Sequence, residues 1–101
     1  MVKIVYKVVV KKDRVDEFKK LAFEILIPKA HDNKCLFFSL HQSLTHYQEF
    51  IFDELWDNKD SVKKYINSLE TALGESKPGE IFPARFNDFI EKDEDLVYEE
   101  I

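Results

Sequence analysis

Glycine is scarce in this sequence, since Gly74 and Gly79 are the only two among 101 residues. Phosphate-cradling loops and dinucleotide-binding fingerprints need several closely spaced glycines, because the backbone must approach the phosphate without side chains in between. Neither loop can be built from two isolated glycines. The sequence therefore excludes enzymes that hold a nucleotide, a nicotinamide or a flavin in this way.

Cysteine, long apolar runs and excess positive charge are also lacking. The single cysteine, Cys35, cannot close an internal disulfide, so we expect a reducing, cytoplasmic location. No apolar run approaches the ~20 residues that span a bilayer, and the first ten residues lack the features of a signal peptide. The net charge of −5 argues against nucleic acid, whose phosphates require a basic face. We expect neither a membrane nor a nucleic-acid partner.

Hydrophobic residues, by contrast, make up 45% of the chain, and nine of them are phenylalanine. This is enough for the core of one domain and not of two. We expect a folded domain over residues 1–92, followed by an acidic tail over residues 93–101. Such a tail is either frayed or docked on a partner subunit.

Hydrophobic periodicity predicts the element order β-α-β-β-α-β. The strands are expected over Lys3–Val10, Cys35–Gln42, Tyr47–Trp56 and Ala84–Ile90. The first helix is expected to begin at Arg14 after the cap residue Asp13, and to end at Pro28 and the polar run His31–Asp32–Asn33. The second is capped by Asp57 or Asn58, ends at Gly74, and precedes a loop over Glu75–Pro83. This order is typical of the ferredoxin-like α+β fold, whose antiparallel sheet has both helices on one face.

The strands are apolar on both faces, although two helices can cover only one face of the sheet. In the third strand, Phe50 and Phe52 point one way, and Ile51 and Leu55 point the other. An uncovered apolar face of this size would promote aggregation, and a second copy stacked sheet to sheet would bury it. We therefore expect a homodimer. The alternative is a loop or tail folded over the sheet, but the tail here is short and acidic.

The third strand ends in the motif Glu54-x-Trp56, and a capped helix follows directly within residues 52–62. This segment resembles the most recognisable part of the antibiotic biosynthesis monooxygenase family. Lys34-Cys35 before the second strand is similar to that family's Gly-Cys, with lysine in place of glycine. The resemblance implies a dimeric α/β barrel with a pocket between sheet and helices in each subunit. It also implies oxidation of a small phenolic or quinol-like aromatic by O2 without flavin, haem, metal or other cofactor.

Two positions depart from the family pattern. The family often has a histidine nine positions after the tryptophan and another five positions further on, where this chain has Tyr65 and Glu70. A mechanism that uses those imidazoles as bases is therefore not available. Tyrosine, with an ordinary pKa near ~10, is a poor base at neutral pH.

Glu54 and Tyr65 are the candidate catalytic residues. Glu54 shares a strand face with aromatic residues, so desolvation should raise its pKa and make it a base. The alternative is a local cap or ion pair at the end of the strand. Tyr65 is a candidate donor to a developing oxyanion, or else a core residue. Trp56, Phe52 and Phe50 are the candidate substrate-binding residues, and for Trp56 a place in the core is the alternative.

The histidines offer no metal site, because His31, His41 and His46 are not clustered, and a metal needs three or four convergent ligands. This chain resembles the haem-degrading enzymes of this fold least, because they hold iron with a histidine on the second helix and no histidine lies between Trp56 and Gly74. Two functions remain open. The first is a cofactor-independent monooxygenase. The second is a non-catalytic barrel protein that binds a hydrophobic ligand or acts in a stress response.

Overall fold

The computed structural model describes residues 1–80 and 82–101. It is an α+β fold in which helices pack on one face of a four-stranded sheet. The elements in chain order are β1 (Val2–Val10), a 3-10 turn (Lys12–Arg14), α1 (Val15–Leu21), a π turn (Ala22–Leu26), α2 (Ile27–Asp32), β2 (Phe37–Gln42), β3 (Glu49–Trp56), α3 (Lys59–Leu73), α4 (Ala84–Asn87) and β4 (Ile90–Glu99). None of the helices in the described residues is long and apolar enough to cross a membrane.

The sheet has the strand order β2-β3-β1-β4, and all neighbouring strands are antiparallel. In the centre of β1, Tyr6 lies opposite Phe52 of β3 on one side and Asp95 of β4 on the other. The ferredoxin-like fold class predicted from the sequence is confirmed. Because β1 and β3 are the inner strands, their inward side chains form the floor under the helices.

The predicted alternation of β3 is also confirmed. Phe50, Phe52 and Trp56 are buried under the helices, while Ile51 is exposed and Leu55 is half-buried on the opposite face. Successive side chains of a strand point to opposite faces, so every second residue of β3 reaches the core. The sheet therefore has one covered face and one open face, and both carry apolar side chains.

The first helix ends in the predicted polar run His31–Asp32–Asn33, but Pro28, which the sequence also predicted as a stop, lies inside it. Helical backbone continues from Val15 to Asp32, and the π turn ends at Leu26, two residues before the proline. Proline has no N–H and its ring clashes with the carbonyl four residues earlier in a regular α-helix, so a widened turn accommodates it. At the end of the helix, the Asn33 side chain donates to the Lys29 carbonyl. Asp13 makes no capping bond and lies in the 3-10 turn.

The predicted limits of the second helix are confirmed in α3. The Asn58 side chain accepts a hydrogen bond from the Ser61 N–H at 3.0 Å, as an N-cap residue does. At the other end, Gly74 has a φ of 88°, a conformation that residues with a side chain rarely adopt. These two signals fix the ends of α3, which follows β3 after two residues.

The predicted fourth strand over Ala84–Ile90 is wrong. Ala84–Asn87 forms a short helix after Pro83, and the strand is Ile90–Glu99. The expected boundary between residues 92 and 93 therefore lies inside β4, so residues 93–99 belong to the sheet and are not a tail. As an edge strand, β4 keeps most side chains in water, which is why its acidic residues are tolerated. The loop expected over Glu75–Pro83 has neither helix nor strand in its described residues, and residue 81 lies outside them.

The second strand begins at Phe37 rather than at Cys35, because Lys34 turns the chain first. Lys34 has a φ of 65°, in the left-handed region that favours glycine. This is the position at which the sequence has lysine and the resembling family usually has glycine. The turn joins α2 to β2 and is held by the Cys35 N–H, which donates to the Ala30 carbonyl.

Candidate active-site pocket

A cavity of about 280 Å³ lies between the sheet and α3. Six aromatic side chains form much of its wall: Tyr6, Phe38, Phe52, Tyr65, Phe82 and Phe86. Four charged residues also line it: Glu54, Asp95, Lys59 and Lys63. An apolar, concave space with a few polar groups is the usual form of a small-molecule site, and this volume lies at the small end of such sites.

Glu54 is the central polar group of this cavity. In the described part of the chain it is the only charged side chain that is buried, with 7% of its surface exposed. Trp56 donates from Nε1 to Glu54 Oε1 at 2.9 Å. Burial raises the pKa of Glu54 to about 7, the indole hydrogen bond opposes this rise, and the nearby Asp95 adds to it. The expectation of a carboxylate among aromatics is met, and its pKa lies where a general base works best.

Trp56 is fully buried and lies behind the wall of the cavity rather than in it. Its ring packs on Tyr65 with centroids 5.1 Å apart, while its N–H holds Glu54. Residues two apart on a strand share a face, which is why the Glu-x-Trp spacing allows this hydrogen bond. The structure therefore gives Trp56 the core position that was the alternative, with Glu54 as its polar partner.

Tyr65 lines the cavity, but its hydroxyl donates to the Leu26 carbonyl at 3.1 Å. Leu26 is the last residue of the π turn, so this bond ties α3 to the first helical segment. Burial raises the pKa of Tyr65 well above its ordinary value, with a further contribution from Glu54. The hydroxyl hydrogen of Tyr65 is already donated to the Leu26 carbonyl, so donation to an oxyanion would require that hydrogen bond to break.

Phe52 and Phe50 take different places. Phe52 lines the cavity, as expected for a substrate-binding residue. Phe50 does not line it; it is 2% exposed and packs on Phe18 with centroids 5.0 Å apart. Of the three predicted substrate-binding residues, the structure thus places Phe52 in the wall, and Phe50 and Trp56 in the core.

Two polar wall residues, Tyr6 and Asp95, were missed by the sequence analysis. The Tyr6 hydroxyl donates to Asp93 Oδ2 at 2.6 Å, and its ring stacks on Phe82 at 4.9 Å. Partial burial and the neighbouring Asp93 raise the pKa of Asp95. The sequence analysis assigned Asp93 and Asp95 to a tail because it placed the fourth strand too early in the chain. The Leu-Val-Tyr run at residues 96–98 was the available signal for a strand.

The described residues contain no group of three or more histidine, cysteine, aspartate or glutamate side chains that could hold a metal ion. His31, His41 and His46 are exposed and lie outside the cavity. Cys35 is held by the Phe37 carbonyl at 3.0 Å, and burial raises the pKa of its thiol to about 11. A thiol with so high a pKa is a weak nucleophile.

Comparison with known proteins agrees with this architecture. A crystal structure of an antibiotic biosynthesis monooxygenase is 17% identical with a TM-score of 0.74, and the match covers 100% of this chain and 99% of that one. A candidate antibiotic biosynthesis monooxygenase from Nitrosomonas europaea is 14% identical with a TM-score of 0.77, at 100% and 99% coverage. A conserved protein from Methanosarcina mazei is 21% identical with a TM-score of 0.74, at 99% and 92% coverage. At these identities, the structures show a shared fold.

The sequence comparison shows more than the fold. No protein with a curated description matches the chain. The family model of the antibiotic biosynthesis monooxygenases matches residues 1–72, which run from β1 to the penultimate residue of α3 and include the Glu54-x-Trp56 motif. The resemblance seen in the sequence is confirmed, and the chain belongs to the antibiotic biosynthesis monooxygenase family.

Proposed function

We propose that this protein is a cofactor-independent monooxygenase that oxidises a small phenolic or quinol-like aromatic with O2. The observation that carries the proposal is Glu54, a buried carboxylate with a pKa of about 7 in an aromatic cavity. Near neutral pH, such a group is partly ionised and able to accept a proton. The six aromatic wall residues provide flat apolar contacts for a ring.

The reaction begins when Glu54 removes a proton from the substrate hydroxyl, because a phenolate gives up electrons more readily than a phenol. O2 then attacks a ring carbon of the electron-rich anion. With an anthrone-like substrate, the carbon that carried two hydrogens becomes a carbonyl. One oxygen atom enters the product and the other leaves as water, so the substrate supplies all the electrons. The proton held by Glu54 returns to the departing oxygen, which restores the base.

The apolar wall supports this chemistry in two ways. It excludes water from the anion, and it keeps the Glu54 carboxylate poorly solvated and therefore basic. Trp56 fixes the orientation of the carboxylate through the 2.9 Å hydrogen bond. Tyr65 and Phe52 contribute wall surface beside it. In this proposal Glu54 acts as the base, and Trp56 positions it from the core.

We also propose that the protein works as a homodimer in which the open faces of two sheets stack. Apolar side chains on that face are exposed in the single chain: Phe37 (50%), Ile51 (40%), Leu96 (39%) and Tyr98 (55%). They come from β2, β3 and β4, so the apolar surface extends across the sheet. A patch of this kind is usual at an interface and unusual in water.

A ligand-binding protein without catalytic activity is the second candidate. It is favoured by the engaged hydroxyl of Tyr65 and by Glu70, which accepts a hydrogen bond from the Ser76 N–H and lies outside the cavity. These two residues occupy the positions at which the family often has histidine. On this hypothesis, the cavity holds a hydrophobic molecule and Glu54 only orients it.

Oxygen consumption with a panel of quinols and anthrone-like phenols separates the two candidates. Wild type should consume O2 faster than buffer alone with at least one substrate. Glu54→Gln keeps the shape and the acceptor for Trp56 but removes the base, so the rate should fall by ~10²–10⁴. Glu24→Gln is the matched control, because Glu24 is exposed on the first helix. If wild type never exceeds buffer, the enzyme hypothesis fails and the ligand-binding hypothesis replaces it.

A further inference from the structure

Two lysines lie on the face of α3 that covers the cavity. Besides Tyr65, the wall residues from this helix are Lys59, Val62, Lys63, Ile66 and Leu69. Their spacing of three and four residues is that of one helical face, and the lysines stand at its beginning. Both lysines are exposed, whereas the apolar members of this face are buried or half-buried. The two ammonium groups therefore lie at the rim of the cavity.

The stability of the helix does not explain these two lysines. The first turn of a helix carries a partial positive charge, which disfavours a cation such as Lys59, the first residue of α3. Like charges four residues apart on a helix, as in Lys59 and Lys63, also repel each other. Among the residues that the structure describes, neither lysine forms an ion pair that would offset these costs. A local rule broken without compensation is typical of a functional position.

The acidic groups of the cavity do not neutralise the lysines either. Glu54 is buried and accepts from the Trp56 N–H, and Asp95 lies on β4. The pKa values of both carboxyl groups are raised, chiefly by burial and further by other acidic residues. An adjacent ammonium group would lower them. The positive charge at the rim is therefore separate from both carboxyl groups.

We infer that the ligand of this cavity is an anionic aromatic molecule, whose acidic group binds Lys59 and Lys63 at the rim while its ring packs against the aromatic wall. This inference rests on the proposed function and narrows its substrate class. Side chains four apart on a helix have Cβ atoms about 6 Å apart, so both ammonium groups can reach one acidic group. The ring then lies between that group and Glu54, with the hydroxyl that Glu54 deprotonates at its other end.

The two lysines select a ligand by its charge, whereas the apolar wall selects it by shape. A neutral ring leaves both ammonium groups in water and gains nothing from them. An acidic group at the rim gains an ion pair with each lysine and stays partly hydrated, so its desolvation cost is small. Lys59 and Lys63 touch no reacting atom in this arrangement and are specificity-determining residues.

The test compares a hydroxynaphthoate with its carboxamide, which has nearly the same shape without the charge. Calorimetric titration under argon gives both affinities without turnover. An exposed ion pair strengthens binding by up to about fivefold, so with two lysines wild type should bind the naphthoate about tenfold more tightly than the amide. The double variant Lys59→Gln, Lys63→Gln should reduce this preference to about twofold or less. A naphthyl phosphate, titrated in parallel, distinguishes a phosphate ester from a carboxylate as the preferred acidic group.

Lys64→Gln is the matched control, because Lys64 is exposed on the same helix and does not line the cavity. It removes the same charge and should keep the preference for the acid. Equal binding of acid and amide by wild type, no binding of either acid, or an unchanged preference in the double variant would each overturn the inference. Oxygen consumption with the same compounds is measured separately. A preference for the acid without turnover would reject the monooxygenase and leave recognition by the two lysines in place.

Discussion

Replacing Glu54 by glutamine should make the protein more stable at alkaline pH, although it removes the proposed base. Glu54 ionises at about 7 in the folded protein, against an ordinary value of 4.5 for its pKa. Each pKa unit corresponds to about 1.4 kcal/mol. Keeping this group ionised in the folded state therefore costs about 3 kcal/mol above pH 7.

The sign of the change in stability with pH follows from the number of protons that the folded and unfolded states bind. Between pH 4.5 and about 7, the folded protein holds the Glu54 proton and the unfolded chain has released it. Stability from this group therefore falls as pH rises through that window and is lowest above pH 7. Below pH 4.5 both states are protonated, and the cost disappears. Glutamine does not titrate and still accepts from the Trp56 N–H, so the variant lacks this dependence.

Urea unfolding of wild type and Glu54→Gln at pH 4.5, 6, 7 and 8, at one protein concentration, measures the difference in free energy of unfolding. The variant should gain little at the lowest pH and up to about 3 kcal/mol at the highest. Glu24→Gln, at an exposed site, should follow wild type throughout. A difference between wild type and Glu54→Gln that stays constant from pH 4.5 to 8 would refute the reasoning, because Glu54 would then titrate at the same pH in both states.

Three further substitutions test the rest of the structure. Tyr65→Phe removes the donor to the Leu26 carbonyl and should lower the free energy of unfolding by about 1–3 kcal/mol; a change within the error of urea unfolding would mean that the bond contributes nothing. Lys34→Gly relieves a backbone with a φ of 65° and should raise stability by up to about 1 kcal/mol, again by urea unfolding, unless the turn tolerates lysine without strain. Ile51→Lys places a charge on the open face and should convert the dimer into a monomer of 12.0 kDa, as measured by light scattering. Leu44→Lys in the exposed turn is the control and should leave the dimer intact. A monomeric wild type at micromolar concentration would contradict the dimer proposal.

The sequence predicted most of the fold because strong local signals coincide with the main elements. In β3, inward aromatic residues alternate with outward residues: Phe50, Phe52 and Trp56 point inward. The α3 helix begins after Asn58 and ends before Gly74. The errors lie where local and tertiary preferences disagree. Pro28 is a helix breaker in isolation, yet a π turn accommodates it within one helical stretch. The β4 strand has an apolar run only at residues 96–98, and pairing with β1 extends it over the charged residues before that run.

The candidate site was predicted in part for the same reason. Glu54 and Phe52 follow from the pattern of one strand, which fixes the face of the sheet on which they lie. Tyr6, Phe82 and Asp95 reach the cavity through pairing and loop packing between distant segments, which periodicity does not encode. Tyr65 lines the same cavity as Glu54, but the hydrogen bond that engages its hydroxyl depends on Leu26, 39 residues earlier in the chain.

The Glu54-x-Trp56 motif explains how the pKa of a buried carboxylate can stay near 7, because its partner is a neutral donor and not a cation. Burial, with a smaller contribution from Asp95, raises the pKa of Glu54, and the indole N–H of Trp56 restrains the rise because it donates to the ionised oxygen. A lysine or arginine in place of Trp56 would add a full positive charge beside the carboxylate, and the pKa would fall well below 7. The carboxylate would then be permanently ionised and too weak a base to remove a phenolic proton. One neutral donor from the core thus orients Glu54 and leaves it basic, which is the combination that the proposed chemistry requires.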